Sequence, residues 1–206
     1  MFPLDLSAFE AVPLVGEPFP FVIVPRFVPR QALPAIEHDF PKIARTGSFP
    51  LHSLSCGPAF SALIAALEGE AFAEAVARKF GLDLSDRPTM VTVRGQSGQR
   101  DGHIHTDSVS KLVTVLLYIN SDPESSGGRL RLLRSPDSLD DVAAEVPPDP
   151  GTLLVFENRS NAWHGYPPFE GIRRVIQLNW VRDKAVVRWE QTRHRFSAFV
   201  KSLGGA

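Results

Sequence analysis

The chain has 206 residues, 43% of them apolar and 22% charged, which fits one globular domain and excludes a disordered polypeptide. Lys+Arg of 22 against Asp+Glu of 23 gives a net charge of -1, so no overall field draws in nucleic acid or an anionic membrane. A single cysteine, Cys56, excludes an intrachain disulfide and a Cys-rich zinc site, and the longest apolar run, 112–119 with Thr114 inside it, is too short to span a bilayer. Nine of the 18 prolines fall in the first 50 residues, so that stretch is neither one long helix nor a central strand. Residues 19–24 read as a short edge strand stopped by Pro25, followed by a short helix with Pro29 near its first turn. Pro58–Leu67, rich in Ala and Leu, reads as a helix opening on its proline. Glu70–Phe80 reads as a second, with Phe72, Val76 and Phe80 at helical spacing and Gly81 as the stop.

From about residue 90 the pattern changes to strand and turn. Segments 90–94, 112–120, 129–134, 152–156, 173–181 and 186–189 are β-rich, and Leu130 and Leu132 alternate with Arg129 and Arg131. Gly- and Pro-rich breaks at 125–128, 147–151 and 166–168 separate them, which predicts a sandwich or barrel. The expected organisation is one domain over 1–206: an N-terminal strand and helical support (1–89), a β core (90–189) and a basic tail (190–206). Met1-Phe2-Pro3-Leu4-Asp5 puts no basic stretch ahead of an apolar one, so the expectation is a soluble, cytoplasmic protein.

The chemistry concentrates in His103-Ile104-His105-Thr106-Asp107 and in His164. In a strand, residues i and i+2 face one side, so His105 and Asp107 can present an imidazole and a carboxylate together. A third ligand from a neighbouring strand would complete a facial triad with open positions, the arrangement suited to oxygen-activating Fe(II). An H-x-D triplet alone is common by chance. Beyond His164 lie Arg173 and Arg174, and a guanidinium there offers a fork for a carboxylate.

In these elements the sequence resembles the Fe(II)/2-oxoglutarate-dependent oxygenases of the prolyl-4-hydroxylase-like branch. The resemblance runs over roughly 90–181: His105-x-Asp107, the strand ending Tyr118-Ile119-Asn120, Gly127-Gly128, Pro150-Gly151-Thr152, and His164 followed by Pro168, Arg174 and Trp180. It implies a mainly β fold with supporting helices, the core a double-stranded β-helix (jelly roll). It also implies Fe(II) on His105, Asp107 and His164, with 2-oxoglutarate and O2 as co-substrates, and it admits ascorbate as an accessory reductant. Arg174 would take the distal carboxylate of 2-oxoglutarate, with the Tyr118 hydroxyl beside it. Arg173 is the rival, because adjacent strand residues face opposite ways. Arg174 is preferred because Ile176, Leu178 and Trp180 would then share its inward face.

The resemblance implies hydroxylation of a peptide, by default at proline, or of a small molecule, with succinate and CO2 as co-products. The substrate loops would be 95–102, 121–128 and 134–150. Where many relatives carry a tyrosine ahead of the H-x-D segment, this chain reads Val93-Arg94-Gly95-Gln96, which makes Arg94 a candidate for an anionic substrate group. Arg129 follows Gly127-Gly128 where an acidic residue is usual. Competing readings are a metal-binding cupin or isomerase using His103-x-His105, a non-catalytic jelly-roll binding module, and a subunit of a larger assembly. A Cys56–His52 nucleophile lacks a third orienting group. His38, His52 and His194 read as solvated, and oligomeric state is not legible.

Overall fold

The computed structural model describes residues 4–120, 127–183 and 185. The expected strand at 186–189, the basic tail with His194, and most of the 121–128 loop lie outside the described residues. Helix α1 (Leu6–Ala11) is capped by Asp5, whose carboxylate accepts a 2.8 Å hydrogen bond from the Ala8 N–H. Strand β1 (Phe21–Val24) follows, then a turn of 3-10 helix and α2 (Leu33–His38). After the two-residue strand β2 (Phe49–Pro50) come α3 (Pro58–Leu67) and α4 (Glu70–Phe80). The last two have the predicted bounds. Pro58 starts α3, where its missing N–H costs nothing, and Gly81 ends α4 at φ 66°, a conformation costly for residues with a Cβ.

The remaining strands are β3 (Thr89–Ser97), β4 (Lys111–Tyr118), β5 (Leu130–Leu133), β6 (Val142–Val146), β7 (Leu153–Glu157), β8 (His164–Gly165) and β9 (Gly171–Val181). They form an antiparallel six-stranded sheet, β1-β7-β4-β9-β3-β2, facing a three-stranded sheet, β6-β5-β8. This is the jelly roll, with β1 at one edge as predicted. Strand β6 falls inside a segment expected to be loop. Its Ala143, Ala144 and Glu145 disfavour strands, and pairing with β5 overrides that local preference.

Two apolar cores flank the large sheet. On its outer face Phe9, Phe60 and Phe72 from the helices meet Ile176, Leu178 and Trp180 of β9. On its inner face, between the sheets, lie Phe19, Tyr118, Leu132, Phe156, Tyr166 and Val175. The alternating Ile-Leu-Trp set of β9 therefore packs against helices and does not line the barrel. Among the described residues no helix is long and apolar enough to cross a membrane.

Candidate active site

The short strand β8 pairs with β5 and, at a single bridge, with His105. His105 and His164 exchange two backbone hydrogen bonds of 3.0 Å, so they stand directly opposed and their rings come within 4.4 Å, centroid to centroid. Asp107 follows in the irregular segment leaving that bridge, not on a regular strand. One ligand atom from each of His105, Asp107 and His164 lies within 4.8 Å of the others. The His105 Nδ1–H donates to the His103 carbonyl at 2.7 Å, and the His164 Nδ1–H donates to the Ala162 carbonyl at 2.9 Å. A carbonyl only accepts, so both rings are fixed with Nε2 free to ligate.

Burial would raise the Asp107 carboxyl, but the Lys111 charge, the His164 ring and hydrogen bonds from Lys111 and Thr114 together hold it below its usual range. The Lys111 Nζ donates at 2.7 Å and the Thr114 hydroxyl at 2.5 Å. Behind Thr114, the Asn179 amide donates to its hydroxyl at 2.8 Å, and Gln177 donates to Asn179 at 3.1 Å. His164 is pushed down to about 4, chiefly by burial, against the pull of Asp107. The trio thus presents the Nε2 of two rings whose Nδ1 positions are already engaged, together with a carboxylate held anionic. That donor set fits Fe(II) and leaves other coordination positions open.

The trio lines a cavity of about 120 Å³ whose wall also includes Leu116, Leu130, Val175 and Arg173. Here the structure reverses the expected orientation of the two arginines: Arg173, not Arg174, faces the cavity. Arg173 is 5% exposed: its Nε donates to the Gly128 carbonyl at 3.1 Å and its Nη2 to the Tyr118 hydroxyl at 3.2 Å. Arg174 points to the opposite side, its guanidinium over the Phe40 ring at 5.4 Å, in an outer groove with Lys42 and Ile43. The expectation failed because it took the apolar face of β9 for the barrel interior. That face serves the helical layer, and the polar face, Arg173-x-Val175-x-Gln177-x-Asn179, serves the site.

Tyr118 is fully buried behind Arg173, and burial pushes its phenol up, so it stays protonated. Arg94 lines the same cavity, ion-paired to Asp101 at 2.5 Å. His103 is exposed and its ring is outside the ligand group, which removes the H-x-H pairing a cupin needs. His38 is exposed and paired with Asp39. Burial pushes the Cys56 thiol up, away from nucleophilic thiolate. Sequence reasoning missed Lys111, Thr114, Asn179 and Tyr166. Lys111 stands four residues after Asp107 and Tyr166 two after His164, so spacing alone gave a signal for those two. Nothing local marked Thr114 and Asn179, which meet only through the β4–β9 register.

Residues 90–182 match the 2OG-Fe(II) oxygenase superfamily. Among solved structures, a prolyl-4-hydroxylase from Pseudomonas putida superposes with a TM-score of 0.57 at 17% identity, covering 86% of this chain and 97% of that one. The viral collagen prolyl hydroxylase of Paramecium Bursaria Chlorella virus-1, solved as a 2OG complex, gives 0.55 at 13% identity over 79% and 96%. A Trichoplax adhaerens prolyl hydroxylase, in complex with a hypoxia inducible factor oxygen degradation domain peptide fragment, gives 0.54 at 16% over 86% and 87%. At such identities the likeness is one of fold. No curated protein matches the sequence.

Proposed function

We infer that this chain, a 2OG-Fe(II) oxygenase through residues 90–182, hydroxylates its substrate with His105, Asp107 and His164 as iron ligands and Arg173 as the receptor for 2-oxoglutarate. One observation carries the reading. A buried guanidinium with no carboxylate partner among the described residues shares a small cavity with a facial triad. An unpaired charge held out of water is costly, and an anion entering the cavity would offset that cost. A dicarboxylic oxoacid can meet the metal at one end and the arginine at the other.

Bound Fe(II), with 2-oxoglutarate and O2, supplies the oxidation that yields succinate and CO2 and hydroxylates a C–H bond. The residues contribute placement. Thr114 and Lys111 keep Asp107 anionic, the carbonyls of His103 and Ala162 fix the imidazole tautomers, and Tyr118 holds one edge of Arg173. Leu116, Leu130 and Val175 form the apolar part of the wall, which excludes water. The likeness to prolyl hydroxylases supports a prolyl peptide as the first substrate class to assay, with small molecules second. Arg94 is the candidate substrate contact, although Asp101 already meets its charge.

The test is anaerobic titration with Fe(II) and then 2-oxoglutarate, following the visible metal-to-ligand charge-transfer band. The band should vanish with His105→Ala. It should require tens-fold more 2-oxoglutarate with Arg173→Ala, roughly the loss of one buried charge-assisted pair. Arg174→Ala should titrate like the unsubstituted protein. Metal binding without a band would overturn the reading. Succinate release with a panel of prolyl peptides then addresses the substrate.

A further inference from the structure

The support of Arg173 contains a residue that no ligand motif includes. The Tyr166 ring lies under the Arg173 guanidinium, 4.3 Å from ring centroid to Cζ, while the Tyr118 ring is 5.4 Å away. Arg173 has five N–H donors, and two of them go to Gly128 and Tyr118. Those two bonds fix one edge of the fork, and the stack fixes the tilt of its plane. The ring is itself clamped. Its hydroxyl shares a 2.9 Å hydrogen bond with the buried Ser97 hydroxyl, and its backbone N–H donates to the Gly102 carbonyl at 2.9 Å. Gly102 sits so close, at φ 89°, that a Cβ there would come within 2.4 Å of the Tyr166 carbonyl oxygen.

We propose that Tyr166 is the positioning residue for Arg173, its ring face setting the guanidinium plane that receives the oxoacid carboxylate. Tyr166 follows His164 by two residues, so the support of the anion receptor and a proposed metal ligand ride on one short segment. The ring ties the receptor's orientation to that segment and, through Ser97 and Gly102, to the turn that follows β3. The ring face carries this role; the hydroxyl only anchors the ring.

The inference rests on the role proposed for Arg173, and its test separates the two. Tyr166→Met keeps a buried apolar side chain without a ring face, and Tyr166→Phe keeps the face without the hydroxyl. Each purified protein is titrated with Co(II) to obtain metal affinity, then anaerobically with Fe(II) and 2-oxoglutarate by the charge-transfer band. Tyr166→Met should raise the 2-oxoglutarate Kd by roughly tenfold, the worth of one desolvated cation–π contact, with Co(II) affinity within about twofold of native. Tyr166→Phe should stay within about threefold of native for both, since it keeps that contact. Should the Met variant fail to fold, Tyr166→Leu is used in its place, and a native circular-dichroism spectrum and urea midpoint certify the preparation. A native 2-oxoglutarate Kd without the ring, or equal losses in metal and oxoacid affinity, would overturn the proposal. Weakening by Tyr166→Phe equal to that by Tyr166→Met would overturn it too, since the hydroxyl would then carry the effect. An unsubstituted protein that binds metal but shows no band overturns the Arg173 reading and this inference with it.

Discussion

Asp107 does not hold its charge by solvation. It accepts hydrogen bonds from Lys111 and Thr114 in a largely buried setting, and the Thr114 hydroxyl is in turn an acceptor for Asn179. Each donor points toward the carboxylate, so the chain of bonds stabilises the anion and fixes which oxygen is turned to Thr114. Thr114→Val keeps the shape and removes the donor. Such changes behind a ligand typically cost about 10–100-fold in metal affinity, and that loss is the expectation for Co(II) or Fe(II) titration of the variant. Asn179→Ala, one step further back, should have a smaller effect in the same direction. Equal metal affinity in Thr114→Val and the native protein would mean that Lys111 alone keeps the carboxylate in place. His105, Asp107 and His164 could be found because their types and order carry the chemistry, whereas Thr114 is an ordinary strand threonine until β4 is known to lie beside β9.

At the scale of elements, β9 explains both what was legible and what was not. Its alternation was plain, but alternation says only that two faces differ, not which one looks into the barrel. In a sheet with helices on one side and an active site on the other, the apolar face belongs to the helices. Phe72 of α4 shows how much rests on that layer: it is buried and packs on Phe9, Phe27 and Trp180 at 5.8, 5.5 and 5.9 Å between centroids. Helices α3 and α4 were readable because Pro58, at the start of α3, and Gly81, at the end of α4, are local start and stop signals. Strand β6 was not, because only its partner β5 makes it a strand. Phe72→Ala should lower unfolding free energy by about 3–5 kcal/mol, read from denaturant midpoints. Folded variant should bind metal with native affinity, since the trio stands on the other side of the sheet. A large loss of metal affinity with little loss of stability would show that the helical layer positions the site and does more than support it.

For the molecule as a whole, burying His164 makes the metal-free protein acid-sensitive. Folded His164 titrates at about 4 against an ordinary value of 6.5, so between those pH values the unfolded chain takes up a proton that the folded chain refuses. Stability is therefore full above pH 6.5 and falls as pH drops toward 4, by about 3 kcal/mol in total at roughly 1.4 kcal/mol per pH unit. Asp107, held below 3.8 in the fold, adds a further loss only under more acid conditions, since its contribution is present above that value. A bound divalent ion raises stability at every pH where the trio is deprotonated, because it binds the folded state alone, and protons compete with it as pH falls. Chelator-treated protein unfolded in urea at pH 7.5, 5.5 and 4.5 should show the fall. His164→Gln should flatten most of it, because the amide has no proton to gain in that range. If the variant kept the full slope, other groups would own the acid sensitivity, and the case for a neutral, metal-ready imidazole at that position would lose its solution support.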